Sequence, residues 1–336
     1  MIPLLRLVVL LHIVAGLAVA QPAPTTRVAA SHHFDFHSDR WINLHHFLYQ
    51  WAREDRGLET GVRPVPMPER SSLDALSTVE RAEWMRAVDF YRAVVAERSH
   101  FDPDMMRTKW DLLALGGNPA ARPPDRIPGI GAALEAAMPV YLRRWWTRHD
   151  RANRGWIEAV MPKLRRHEAA YVQLTMKVHG AMWPDTPFRV DVTAYPNYRA
   201  GYTTREGHIV MFSTDPNNQD LYSLEMVLHE VQHAESIEAT TPAALTTAFE
   251  AESSKPPGNL SHAMIFATAG EFVRSIAGRE GVSAYQPYWL KQGLDTREEW
   301  KELVAPIANY WLPVVRGELS RTEGLARLAR AMKTSR

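Results

Sequence analysis

The chain has 336 residues, with 39 basic and 38 acidic side chains, 14 histidines and no cysteine. Without cysteine there are no disulfides and no thiolate ligands, so a bound metal would have to be held by His, Asp or Glu. The charge balance, which becomes even once Arg6 is removed with the leader described next, gives no electrostatic case for nucleic acid or an anionic membrane as partner.

The N-terminus carries Arg6, an apolar run from Leu7 to Leu17 and the small-residue site Ala18-Val19-Ala20. This pattern reads as a secretory signal peptide over residues 1–20, too short to span a membrane, with cleavage near Ala20. The mature protein is therefore expected to be exported, periplasmic or secreted, without stable membrane insertion. A chain this long builds a core that needs no covalent staples, which suits disulfide-free export. Residues 21–30 read as a polar linker containing Pro22 and Pro24, followed by an N-terminal helical region over 31–182 and a second region over 183–336, the two forming one continuous unit.

Apolar residues recur at helical spacing through Trp41, Leu44, Leu48 and Trp51, predicting an amphipathic helix. Five nearby histidines, His32, His33, His37, His45 and His46, match no ligand spacing and read as packed or hydrogen-bonded side chains. Further helices are predicted over Thr78–Arg98, with Trp84, Val88, Tyr91, Val94 and Val95 along one stripe, and over Asp104–Leu115 before Gly116-Gly117. The proline-rich stretch 118–128 is a connection. Two more helices are expected over Ile130–Thr147 and Arg151–Gly180, with Pro162 as a kink or a start in the second.

Strand patterns first appear after Trp183-Pro184, at Phe188–Tyr195, Tyr202–Thr204 and His208–Ser213. The turn Asp215-Pro216-Asn217-Asn218 then feeds a helix bearing His229-Glu230-Val231-Gln232-His233. On a helix, histidines at i and i+4 share a face and can bind one zinc ion, while Glu230 can hold the water that the metal acidifies. Met226, Val227, Leu228 and Ala234 surround the motif with apolar side chains, and Glu235 introduces a charge where such helices usually stay apolar.

Residues 188 to 275 resemble the catalytic core of the zincin metallopeptidases, and the eighteen residues between His233 and Glu252 are a spacing similar to that of some aminopeptidases in the glutamate-ligand group, the gluzincins. The resemblance covers under a third of the chain and leaves the N-terminal half unmatched. It implies an α+β, predominantly helical fold in which a small twisted sheet packs on the active-site helix, with its edge strand aligning an extended substrate beside the metal. His208–Ser213 is the candidate for that strand.

A catalytic zinc takes three protein groups and keeps a position for water, so a third ligand is required. Three downstream residues compete. Glu252 follows His233 after eighteen residues but runs into Ser253–Gly258, a poor place to hold a ligand rigidly. His262 and Glu271 lie in one apolar helix, where nine residues of separation put them on opposite faces. Glu271, set among Ala269, Gly270, Phe272 and Val273, is favoured as the gluzincin resemblance implies, with His262 the alternative and then free to contact substrate if Glu271 ligates.

In the mechanism so implied, zinc on His229, His233 and the third ligand lowers the pKa of its water towards ~7, Glu230 accepts the proton, and the hydroxide attacks a peptide carbonyl. Tyr285, Tyr288 and Tyr202 are candidates to steady the oxyanion, Tyr288 foremost. The expected activity is a zinc-dependent hydrolase cleaving peptide or protein substrates. A zinc hydrolase acting on something other than a peptide, or an inactive binding protein on the same scaffold, are the alternatives. Closing helices are expected over Thr296–Ala305 and Arg321–Met332.

Overall fold

Alternating buried and half-buried side chains at Phe34, Asp35, Phe36 and His37 form a strand inside the region 31–182 that the sequence predicts to be helical, and this strand pairs on both sides in the sheet. The computed structural model describes residues 26–58, 67–197, 200–204, 207–238 and 240–334, so the signal peptide expected over 1–20 lies outside the described residues. The fold is predominantly helical with one small mixed sheet, an α+β arrangement.

The strands are β1 (Arg27–Ala30), β2 (Phe34–His37), β3 (Phe188–Thr193), β4 (Gly201–Thr203) and β5 (Ile209–Phe212), in the spatial order β1-β2-β3-β5-β4. The inner ladders β2/β3 and β3/β5 are parallel, and the outer ones are antiparallel. Two expectations change here. Residues 27–30, read as linker, are an edge strand, and Phe34 pairs with Phe188 through to His37 with Asp191, so the sheet joins chain from both sides of residue 183. Moreover β5, expected at the edge, lies between β3 and β4, and its backbone is already paired on both sides. The edge beside the motif helix is β4.

Helices cover the two faces. On one, a core of Phe34, Val190, Val192, Ile209 and Met211 packs against the long helix Thr147–His179, the motif helix Asp220–Glu230 and the helix Leu260–Arg279. On the other, Arg40–Asp55, Thr78–Phe90 and Ile130–Tyr141 bury a tryptophan-rich core in which the rings of Trp84 and Trp145 lie 4.3 Å apart. The break expected between Thr147 and Arg151 is absent. A π-helical turn, Leu142–Trp146, joins Ile130–Tyr141 directly to Thr147–His179, which carries Pro162 in its interior and ends at Gly180 in the left-handed conformation. Helices at Glu298–Pro306 and Arg321–Thr334 close the chain. No helix among the described residues is long and apolar enough to cross a membrane.

Asn153, fully buried on the long helix, ties these layers together. Its amide donates to Ser38 Oγ at 3.1 Å and Asn43 Oδ1 at 3.0 Å, and its Oδ1 accepts from Ser213 Oγ at 2.7 Å. Removing such a hub leaves buried partners unsatisfied. Asn153→Ala should lower unfolding stability by roughly 2–4 kcal/mol, read as a lower urea midpoint with an unchanged slope.

Candidate metal centre

The motif helix stops at Glu230, one turn earlier than a continuous helical motif requires. Val231–His233 is a 3-10 turn, and Ala234 is extended at φ −62°, ψ 133°. The tightened turn still brings His229 Nε2 and His233 Nε2 to 3.3 Å. From the facing helix Leu260–Arg279, His262 completes a triangle in which one nitrogen of each ring lies within 4.8 Å of the others.

Among the competing third residues, the structure brings His262 to the pair and leaves the other two elsewhere. Glu271 faces away, with its carboxylate on Arg274 at 2.6 Å and Arg316 at 2.7 Å, an ion-pair network that explains a charge in an apolar helix without a metal. Glu252 pairs with Arg330 and Lys333. The five N-terminal histidines do not converge as a metal cluster. His45 Nδ1 meets Tyr91 Oη, and His46 Nε2 meets Tyr202 Oη.

A buried amide holds the two histidine-bearing elements together. Gln232 Nε2 donates to Leu228 O within its own turn and to Ile265 O on the His262 helix, while its Oε1 lies 2.8 Å from His179 Nε2. Tyr171 Oη also donates to Leu228 O at 2.6 Å. Phe266, one turn past His262, lays its ring 3.8 Å from that of His229.

Burial, then the neighbouring His233 and His262, drive the pKa of His229 well below the usual imidazole range, and burial, then His233, bring His262 down to about 4. Both rings are therefore neutral at pH 7, the form that ligates metal. For His233 burial is outweighed by Glu238 and Glu230, which raise its pKa. Burial likewise raises Glu230, opposed by His233 and by Thr203, whose Oγ1 on β4 lies 2.9 Å from Glu230 Oε2. The donor set, three imidazoles without thiolate, is one that zinc accepts, and the residues that could hold it are His229, His233 and His262.

These groups line a cavity of about 920 Å³. One wall comes from the C-terminal region, with Tyr288, Leu294 and Trp300. The other is built by N-terminal residues that the sequence could not place, among them Tyr49, Arg53, His100 and Phe101. Of the tyrosines considered as oxyanion donors, Tyr288 and Tyr202 border the cavity, the Tyr202 hydroxyl lying 3.0 Å from both His46 Nε2 and Lys109 Nζ. Tyr285 instead donates to Glu225. Thr203 and Glu238, both beside the histidines, gave no sequence signal. The first lies on a three-residue strand, and the second is hidden by the assumption of an unbroken helix.

No protein-family profile, curated protein or solved structure matches the chain.

Glu225, four residues before His229 and fully buried, accepts the Tyr288 backbone N–H at 2.9 Å and pins the cavity wall to the motif helix. Gly270 makes this approach feasible, since a Cβ there would stand 2.6 Å from Pro287 Cβ and 3.0 Å from Glu225 Oε1. Burial pushes the Glu225 carboxyl from 4.5 up to about 7, with the Tyr285 and Tyr288 donors pulling the other way. Between those values the folded chain holds a proton that the unfolded chain has lost, so this contribution to stability is present below about 4.5 and disappears as pH rises through about 7. The stability of the parent relative to Glu225→Gln should therefore fall between about pH 5 and pH 8, measured by urea unfolding at each pH.

Proposed function

We propose that this chain is an exported zinc-dependent hydrolase with a zincin-like core, and that its substrates are peptides. The observation carrying the reading is the convergence of His229, His233 and His262 with Glu230 alongside, at the wall of a cavity bordered by Thr203 and Tyr202 of the edge strand β4. The signal-like pattern over residues 1–20 supports export. The support for a peptide is the sheet edge itself, since β4 ends the sheet and its Thr203 meets Glu230, and a sheet edge is the surface on which an extended peptide is bound as an added strand.

Bound by three imidazoles, zinc supplies Lewis-acid chemistry, acidifying water and polarising a carbonyl. The protein's own share falls to a few groups. His229, only 2% exposed, and His262 are held neutral by burial, so their lone pairs remain available. Glu230, 4% exposed and with a raised pKa, is placed to take a proton from water and return it to the leaving amine. Thr203 fixes that carboxylate from β4, and Tyr288, which lines the same cavity, is the residue we assign to steady developing negative charge.

Elemental analysis of the purified protein should give one zinc per chain, lost in His233→Ala and His262→Ala and retained in Glu271→Gln. Glu230→Gln should keep the metal while losing peptide hydrolysis by at least about 100-fold in kcat. A parent that stays zinc-free after incubation with the metal would overturn the reading.

A further inference from the structure

We infer that Glu238 is the positioning carboxylate of the metal centre, acting through His233. The inference rests on the metal-centre reading above and goes beyond it by assigning a residue outside the motif.

Five positions apart on an unbroken helix, Glu238 and His233 would point about 140° away from each other. They meet because the helix breaks. Ala234 adopts an extended conformation, and the turn Glu235–Glu238 starts afresh, its Ile237 and Glu238 N–H groups both donating to Ala234 O at 2.8 Å. Ile237, 1% exposed, anchors this turn in the core. Glu238 is thereby folded back so that its Oε2 lies 3.5 Å from His233 Nδ1, the ring nitrogen turned away from the cluster.

With Nδ1–H donating to that carboxylate, the proton is fixed on Nδ1 and the Nε2 lone pair faces His229 and His262. The negative charge also increases the basicity of the ring as a ligand, the usual work of a carboxylate behind a ligating histidine. Among the described residues Glu238 has no lysine or arginine ion pair; its nearest charged or titratable partner is His233, and its negative charge also bears on His262 and His179. His229 offers a contrast, since its Nδ1 is buried with no hydrogen-bond partner. Glu238 is thus the carboxylate that orients a member of this histidine set. Glu235, exposed on the same turn, is the natural control.

The test is zinc affinity by chelator competition on the mature parent and on Glu238→Ala, Glu238→Gln and Glu235→Ala, with thermal unfolding of each metal-free protein beside it. Glu238→Ala should bind zinc 10- to 100-fold more weakly, Glu238→Gln should lose less because its amide oxygen still accepts from Nδ1–H, and Glu235→Ala should match the parent. Cobalt substituted for zinc should show altered visible absorption in Glu238→Ala, a signature that loss of fold stability alone would not produce. If the parent binds zinc and Glu238→Ala binds it within twofold, the inference falls while the metal centre stands. If the parent binds no zinc, both fall together.

Discussion

The close approach of the His229–His233 turn to the His262 helix is the constraint on which the site depends, and one side-chain amide holds it. Gln232 occupies a variable position of the motif, yet it is fully buried and bonded to Leu228 O, Ile265 O and the His179 ring. A buried amide satisfied on all sides acts as a spacer of fixed length, because lengthening the gap by even an ångström strands polar atoms away from water. The three histidines inherit their separation from that spacer. The long helix supplying His179 and Tyr171 extends the same restraint to the sheet.

Around this joint the cavity is assembled from distant pieces of chain. The helical N-terminal region contributes a wall with Arg53 and His100, the edge strand contributes Thr203, and the segment following the Leu260–Arg279 helix contributes Tyr288 and Trp300. Glu225 and Gly270 dock that last segment by permitting and then bonding a close contact that a larger residue at position 270 would obstruct. The cavity and the histidine cluster therefore share one set of packing contacts.

Helical periodicity was legible wherever a strong apolar stripe existed, as in the Trp41–Trp51 helix and in the long helix ending at Gly180. The motif itself was legible because its five residues are consecutive in the chain. The strands Arg27–Ala30 and Phe34–His37 escaped because four residues carry little pattern and their partners lie far along the chain. The favoured third ligand, Glu271, illustrates the limit of local reasoning. Its burial among apolar neighbours required a partner, and the structure supplies two: Arg274, three residues on and readable as a local pair, and Arg316, distant in sequence and invisible before folding. His262 stood out less, as a neutral polar residue near the start of the same apolar helix, and ranked second for that reason. Glu238 was hidden for a different reason, since a motif read as one unbroken helix points it the wrong way.

The ladder between β2 and β3 has a consequence for how the chain reaches its native state. Phe34 meets Phe188 across more than a hundred intervening residues, most of them helical. Helices of the first half can form early from local contacts, but the middle of the sheet waits on closure of that long loop, the slow class of event in folding. Until residues 188–212 arrive, β2 presents an unpaired edge next to exposed Phe34 and Phe36, a template for joining other chains. An N-terminal fragment ending before residue 188 would keep that exposed edge permanently, so the two halves are inseparable in assembly as well as in the finished cavity.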